Sequence, residues 1–476
     1  MGEPRMLSEP AEITQVVDAF DESDPFDLDL TIGYGFSRNT GKILRETNLA
    51  GPEYSSGGYT RGALKVAKYR ETTNRLLTRA AVGLYRDLAL IIRMPIILSN
   101  DRRLDSYDGS GSDARVTEGA PGEQLFSIPF RSPTRSGIEY LALGVDYGIL
   151  NQYRERSNPT WIVGVETRLN VSEPMHACNP NSASGQVTCA DPGDVNRNGR
   201  FDASNVDSTG TIPIESSAIK SRSEGVSRGV TGLELHTYLS KRIKYIEPYG
   251  GLRMLAEFPT GSSDFGLTDL QHSLVNHPPL LGTMTIGMAV IPWEVRDQFQ
   301  RATIDLRFES SYRSEGRDYS ELFDALGSSP ARSLRSPTWA EYHAGTNGTS
   351  VVDPASQRVY FAGLTDIQSH IINRASVEVT WQAARYVKFA LGSALTVIQS
   401  HIITFDQACN ANFRNDQSAA GPCRKWTGDT SNGQPVYEVT GVPNPGYREV
   451  INAVGRRYRV DNSLGFDGWA NATVMF

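Results

Sequence analysis

The stretch from residue 194 to residue 205 carries oxygen-bearing side chains at the spacing of a calcium-binding loop. A hard cation such as Ca²⁺ takes oxygen ligands at alternate positions of a loop that turns at a glycine, here Gly199. Asn205 stands where the pattern has a bidentate glutamate. We expect a structural Ca²⁺ site, with a polar turn as the alternative. The ligands would be Asp194, Asn196, Asn198, Asp202 and the carbonyl of Arg200.

A second feature that could do chemistry is a repeated hexapeptide. The letters IQSHII occur at 367–372 and again at 398–403, which gives His370 and His401 the same place in each copy. Two neighbouring imidazoles could bind a metal or line a gate. Strand parity, however, assigns the two histidines to opposite faces of a sheet. We therefore interpret the repetition as chance.

Catalytic motifs are missing from the sequence. It contains no G-x-S-x-G nucleophile elbow, no H-E-x-x-H zinc motif and no phosphate-binding loop, and its seven histidines are dispersed. The prediction is that the protein is not an enzyme and has no catalytic residues. A net charge of −7, with acidic and basic residues scattered, also argues against nucleic acid as a partner.

The four cysteines form two local pairs in polar stretches. Cys178 with Cys189 and Cys409 with Cys423 predict two disulfides and an oxidising compartment. Four free thiols in a cytosolic protein are the alternative.

Alternation of apolar and polar residues indicates the elements that position these features. In "RATIDLRFES", Ala302, Ile304, Leu306 and Phe308 occupy one parity and charged or polar residues the other, which is typical of a β-strand with two different faces. The pattern predicts twelve strands, over 26–38, 72–85, 87–100, 137–149, 160–172, 229–240, 245–258, 281–293, 300–313, 366–382, 386–404 and 462–476.

The connections between these strands alternate between short and long. The long ones cover about 39–71, 101–136, 173–228, 259–280, 314–365 and 405–461. Tight turns on one side and long loops on the other favour a transmembrane barrel over a soluble sandwich. Aromatic residues cluster at the short-turn ends, as in the aromatic girdle of a membrane interface: Phe26, Tyr85, Trp161, Tyr245, Trp293, Trp381, Tyr386 and Phe476.

The chain ends on "DGWANATVMF", an alternating segment that finishes with Phe476. This ending resembles the terminal strand of Gram-negative outer-membrane β-barrel proteins, and the resemblance extends over 26–476 at the level of architecture, without a specific family. It implies an all-β fold with a single antiparallel transmembrane β-barrel of about 12 strands (range 10–16), short periplasmic turns and long external loops. It also implies the outer membrane as location, the lipid bilayer as partner and insertion by the barrel-assembly machinery.

The large apolar side chains must face lipid in such a barrel, because charges there are costly. The opposite parity then lines the lumen with both signs of charge. Either the lumen is a wet pore whose opposed charges orient polar solutes, or the charges pair across it and close it. The expected lumen-lining residues are Asp27, Asp29, Arg75, Arg79, Arg93, Asp146, Glu166, Arg168, Glu234, His236, Arg253, Arg301, Asp305, Arg307, Glu309, Arg374, Glu378 and Lys388.

Residues 1–25 differ in character from the strands. They are acidic, and Ile13, Val16, Val17 and Phe20 recur at helical spacing. This segment is a disordered leader, a plug that enters the lumen, or a docking helix for a periplasmic or envelope partner. A second amphipathic helix, predicted over 318–327, would cap or constrict the external mouth.

The functional expectation is a porin-like channel for passage or binding of small polar solutes through a charge-lined lumen. The alternative is a non-enzymatic scaffold barrel of a multiprotein envelope complex for secretion, motility or adhesion. Such a barrel would use its loops or N-terminal segment to hold partners.

Overall fold

Twelve antiparallel strands form one sheet that closes on itself, since the first strand pairs with both the second and the last. A computed structural model describes residues 11–20, 27–49, 60–107, 114–180, 188–189, 223–261, 263–266, 275, 277–335, 361–410, 424–439, 442–444 and 446–476. The predicted all-β barrel of twelve strands is confirmed. Closure leaves no strand edge of the sheet unpaired. An unpaired edge would expose backbone N–H and C=O groups to lipid, where they cannot form hydrogen bonds.

The barrel strands are β1 (Leu28–Leu49), β2 (Thr60–Tyr85), β3 (Leu88–Arg93 and Ile96–Ser106), β4 (Arg135–Ile138 and Leu141–Leu150), β5 (Thr160–Leu169), β6 (Val230–Ser240), β7 (Ile246–Pro259), β8 (Leu281–Val295), β9 (Gln300–Arg313), β10 (His370–Ala384), β11 (Val387–Ile398) and β12 (Tyr458–Met475). β3 is interrupted at Met94–Pro95, where proline lacks the N–H that a ladder needs. After β11, the two-residue strand His401–Ile402 also pairs with β12.

The first predicted external loop is wrong in extent. Most of 39–71 is strand, because β1 and β2 stay paired from Leu28 with Val82 out to Leu49 with Thr60. Similarly, β3 runs to Ser106, inside the predicted loop 101–136. These extensions lie beyond the membrane, where neither face has to be apolar. Their sequence therefore lacks the alternation that marks the membrane-spanning parts.

Helices are few and short. They are the 3-10 turns Glu12–Thr14, Asp264–Gly266 and Arg296–Gln298 and the α-helices α1 (Ala114–Thr117), α2 (Phe323–Gly327), α3 (Arg332–Arg335) and α4 (Glu449–Asn452). Short strands outside the barrel are Phe130–Arg131, Cys178–Asn179, Thr188–Cys189, Gly316–Asp318, Thr365–Ile367, Cys409–Asn410, Arg424–Ser431, Gln434–Val439 and Val442–Pro443. None of the helices among the described residues has the length and apolar character to cross a membrane.

The external connections fold into a cap with its own apolar core. Inward side chains of the strand extensions, Ile43, Tyr69 and Leu104, pack there with Phe126, Leu326 and Tyr458. The helix predicted over 318–327 contributes its second half as α2. Phe323 of α2 belongs to a second cluster with Val230 of β6. The cap thus reaches across the external mouth from β1–β3 to β6.

One fully buried ion pair fixes α2 within the cap. Nη1 and Nη2 of Arg135 donate to the two carboxylate oxygens of Asp324, at 3.0 and 2.6 Å. Arg135 is 0% and Asp324 3% exposed. Asp324 also accepts a hydrogen bond from the backbone N–H of Cys178. Removing only one partner of an ion pair this deeply buried strongly destabilises a protein, because the other charge is left buried without compensation.

Candidate functional site

The lumen wall between β3 and β6 holds a chain of ion pairs built from predicted residues. Nε of Arg93 donates to Glu166 at 2.8 Å, and Nε of Arg168 donates to the other oxygen of Glu166 at 3.1 Å. Arg168 also contacts Glu234. His236 Nε2 lies 3.1 Å from the Asp146 carboxylate. Alternate positions on neighbouring strands thus bring both signs of charge together on one inner surface.

A second group lies on β7 and β9. The hydroxyl of Tyr249 donates to Asp305 at 2.5 Å and accepts a hydrogen bond from Nε of Arg307 at 3.1 Å. Arg307 also donates to Asp305 at 2.8 Å. Tyr249 was not among the predicted lumen residues, although it shares the inward parity of β7. Gly287 makes room for its ring, because a Cβ there would collide with it.

A third group joins β9, β10 and β12. Arg374 donates to Glu309 at 3.2 Å and lies 3.3 Å from Asp467. The indole N–H of Trp469 donates to Glu378 at 2.5 Å. Asp467 was not among the predicted lumen residues, yet it shares the parity of Trp469, which the alternation of "DGWANATVMF" turns inward.

The remaining predicted residues occupy the same wall. Arg75 lies 3.7 Å from Glu139, and Arg79 stands opposite Arg93 in the β2–β3 pairing. Arg253 stands opposite His236, and Arg301 opposite Gln382. Asp29 is buried on β1 beside the closing strand, and Asp27 directly precedes β1 and accepts a hydrogen bond from Gly83 through its carbonyl.

The described ion pairs between wall residues join strands that are at most two places apart in the barrel. The charges therefore line the wall and do not bridge opposite walls. Of the two interpretations left open by the sequence, this arrangement favours a charge-lined lumen over a rigid ionic core.

Residues 11–20 lie inside the lumen at the short-turn end, in contact with several strands of the wall. The backbone N–H of Ala11 donates to Glu247 at 3.3 Å, and the hydroxyls of Thr14 and Ser240 lie 2.8 Å apart. Nζ of Lys388 donates to Glu12 at 3.0 Å. Each of the partner residues lies at the short-turn end of its strand, so this segment, here called the plug segment, sits at the periplasmic end.

Apolar contacts also hold the plug segment. Val16 and Val17 pack on Ala81, Ala89 and Ile162 of the wall. The helix suggested by the spacing of the apolar residues is wrong within 11–20, because only the 3-10 turn Glu12–Thr14 forms and Phe20 is 64% exposed. The wall residues are small here, and an extended segment fits against them.

Gly83 allows the closest approach of the plug segment to the wall. A Cβ at this position would collide with the carbonyl oxygen of Asp18. Next to it, Ala19 forms a backbone bridge with Arg86, with hydrogen bonds in both directions. The plug segment thus joins the β2–β3 turn through a single antiparallel bridge.

The repeated hexapeptide proves to be structural. The rings of His370 and His401 stack, with centroids 3.8 Å apart and planes 10° apart, so the prediction that they lie on opposite faces is wrong. In each copy the Gln–Ser step leaves the strand, which shifts the parity. Gln368 and Gln399 each bond through their side chain to the backbone N–H of the other copy, at Ile402 and Ile371.

The predicted disulfide between Cys178 and Cys189 is confirmed. Cys423 lies outside the described residues, so the pairing of Cys409 with Cys423 stays a prediction. The five predicted Ca²⁺ ligands, Asp194, Asn196, Asn198, Arg200 and Asp202, also lie outside them, and the Ca²⁺ site stays a prediction.

The polarity of the barrel is the reverse of that of a soluble protein. Charges line the inside, whereas the outward side chains are apolar and exposed, as in Ile32, Leu252 and Leu391. Seven of the eight predicted girdle aromatics lie within the described residues, and all seven are exposed: Tyr85, Trp161, Tyr245, Trp293, Trp381, Tyr386 and Phe476. A closed sheet with an apolar outer belt and an interfacial aromatic girdle is what a bilayer requires. The protein is an outer-membrane β-barrel.

Solved structures similar to this outer-membrane barrel include an outer membrane channel from Pseudomonas putida F1, with 9% identity, 97% of this chain and 100% of that chain covered, and a TM-score of 0.33. A Pseudomonas aeruginosa FadL homologue has 9% identity, 94% and 90% coverage and a TM-score of 0.31. The outer membrane protease OmpT from Escherichia coli has 9% identity, 97% and 100% coverage and a TM-score of 0.26. Neither a protein-family model nor a curated protein matches the chain. That the barrel is not an enzyme stays a prediction.

Proposed function

We propose that the protein is a gated outer-membrane channel for small polar solutes, in which the plug segment closes the periplasmic end. The observation that carries this proposal is the way the segment is held. It is held inside the lumen by ion pairs of Glu12 with Lys388 and of Asp18 with Arg154, a few hydrogen bonds and a small apolar contact. Such contacts can be broken without unfolding the barrel.

The charge pattern of the wall supports polar solutes as cargo. Arginines and carboxylates lie next to one another on the inner surface from β3 to β12, and many of them form ion pairs along the wall. Opposed charges in a confined aqueous space orient polar molecules and compete for their hydrogen bonds. Apolar solutes would gain nothing from such a wall.

Planar-bilayer conductance tests the proposal. Three forms are compared: the full chain, a form lacking residues 1–25, and a form lacking only residues 1–10, which keeps the plug segment. We expect the form lacking 1–25 to show a stable conductance step that the other two show rarely or not at all. Equal conductance of all three forms would contradict a plug. Silence of all three would contradict a channel.

The external cap favours a second candidate, a scaffold barrel of an envelope complex. Its packed core and the buried pair Arg135–Asp324 build a rigid surface larger than a simple pore needs. In this case the form lacking 1–25 stays silent in bilayers, and envelope proteins co-purify with the full chain. Loss of those partners on removal of 1–25 would place the docking function in the N-terminal segment.

A further inference from the structure

The external ends of β1, β2 and β3, with the short strand Phe130–Arg131, carry a concentration of positive charge on their outward face. The six residues of this basic patch are Arg38, Lys42, Lys68, Arg70, Arg103 and Arg131. Four of them, the arginines, line a groove of about 470 Å³, and the rest of its lining is Thr72, Asp101, Arg102, Ser132 and Thr134. The patch is positively charged although the whole chain has a net charge of −7.

The patch places like charges directly opposite one another on neighbouring strands. Lys42 faces Lys68, Arg70 faces Arg103, and Arg103 also faces Arg131. Directly opposed like charges destabilise a sheet. Three such contacts lie in one patch, although Lys68 also stands opposite Asp105 on its other side.

Acidic residues compensate this charge only in part. Arg103 pairs with Asp105 at 3.2 Å, and Asp101 accepts a hydrogen bond from Thr134. In the part of the chain that the structure describes, no carboxylate pairs with Arg38, Arg70 or Arg131. The arrangement is suited to an anion that inserts between the guanidinium groups.

The position of the patch indicates which anion. Arg38 stands opposite Phe466, an outward aromatic residue that is 45% exposed. Tyr34 of β1 and Leu98 of β3, both outward and exposed, lie further toward the bilayer centre on the same strands. The patch therefore borders the apolar belt on the external side, where the headgroups of the outer leaflet lie.

We propose that the basic patch binds the phosphate groups of the phosphorylated glycolipid of the outer leaflet, with the acyl chains along the apolar side chains below it. A guanidinium group matches a phosphate with two parallel hydrogen bonds. A phosphomonoester carries nearly two negative charges and so relieves the repulsion in each like-charge pair. Basic pockets beside a membrane-spanning surface bind lipid headgroups in this way.

Titration of purified diphosphoryl lipid A into the full chain in non-ionic detergent tests the proposal. Each arginine near a charged headgroup contributes a factor of roughly five, so the triple variant R70Q/R103Q/R131Q should bind roughly 100-fold more weakly. The matched control R156Q/R296Q/R385Q changes three arginines of the periplasmic turns and should bind like the unchanged protein. Equal affinity of all three proteins would overturn the proposal.

A second measurement does not depend on lipid binding. Because the glutamines remove like-charge contacts, the triple variant without lipid should melt at a higher temperature than the unchanged protein, and the control should not. Should the triple variant fail to fold, R70Q alone is titrated, with an expected loss of roughly fivefold. An unchanged affinity of R70Q would contradict the proposal.

Two further probes separate the sources of phosphate. Lipid A from which both phosphates are removed should bind much more weakly, and the affinity for the diphosphoryl form should fall with salt. Equal binding of the dephosphorylated lipid would mean an apolar contact only and would overturn the proposal. Inorganic phosphate at millimolar concentration should not stabilise the protein as the lipid does. An equal effect would make the patch a site for a free anion and not for a lipid.

Discussion

Glu12 and Lys388 form an ion pair of 3.0 Å inside the barrel, between residues 376 positions apart in the chain. Lys388 is nearly buried in the wall of β11, whereas Glu12 is 45% exposed toward the lumen. This contact ties the start of the plug segment to β11, and a second ion pair, between Asp18 and Arg154 at 3.7 Å, ties its end to the β4–β5 turn. The contact between Glu12 and Lys388 connects the state of the plug segment to the charge of one lysine.

Removal of this link should open the channel more often. We expect E12Q and K388Q each to destabilise the closed state by about 1 kcal/mol, which corresponds to a roughly fivefold higher ratio of open to closed channels. The charge exchange E12K/K388E should restore closure. Single-channel recordings give the open fraction, and an E12K/K388E protein as open as the single variants would argue against a direct pair.

Gly83 offers a test of the plug segment that leaves every charge in place. G83A puts a Cβ where the carbonyl of Asp18 lies. The plug segment should therefore be displaced from the wall, and the conductance of the channel should rise. G282A on β8 is the matched control, because a Cβ there meets nothing within 4 Å. Similar recordings for the two variants would show that the approach of Asp18 to the wall does not contribute to closure.

The sequence predicted the membrane-spanning part of the fold well, for a physical reason. Lipid requires one apolar face on each strand. Apolar and polar residues therefore alternate along the strand, as in "RATIDLRFES". Beyond the membrane the requirement ends, so the extensions of β1 and β2 up to Leu49 and Thr60 were mistaken for a loop. The plug segment was one of several alternatives, because its partners Ser240, Glu247 and Lys388 are distant in sequence.

The site residues that the sequence missed share another cause. Tyr249 and Asp467 both lie inward, and Tyr249 belongs to a residue class that is expected at the lipid interface of a barrel. Their partners Arg307 and Arg374 were predicted, and parity on the neighbouring strands could have found them. The stacking of His370 on His401 was not predictable from parity, because the Gln–Ser breaks interrupt the alternation.

Asp366 gives the cap a dependence on pH. Burial and the neighbouring carboxylate of Asp406 raise the pKa of Asp366 to about 9. The folded cap thus holds this proton more tightly than the unfolded chain does. The contribution of Asp366 to the free energy of unfolding is therefore highest at low pH and decreases as pH rises from about 4 to 9. Melting curves of the full chain in detergent should show this decrease, and D366N should flatten it. An unchanged slope in D366N would assign the pH dependence to other groups.

The ion pair between Arg135 and Asp324 provides the strongest test of the cap. D324A leaves a buried guanidinium group without its carboxylate, and we expect a loss of about 3–5 kcal/mol in cap stability. The double variant R135M/D324L removes both charges and should lose much less stability, since apolar residues of similar size often replace a buried pair without cost.

Two measurements separate the cap from the wall: limited proteolysis reports on the cap, and the heat-dependent shift of the barrel on gels reports on the wall. D324A should make the cap sensitive to protease and leave that shift intact, because Asp324 lies in the cap and Arg135 at the external end of β4, where the strand begins. Equal protease resistance of D324A and the unchanged protein would show that the cap does not depend on this pair.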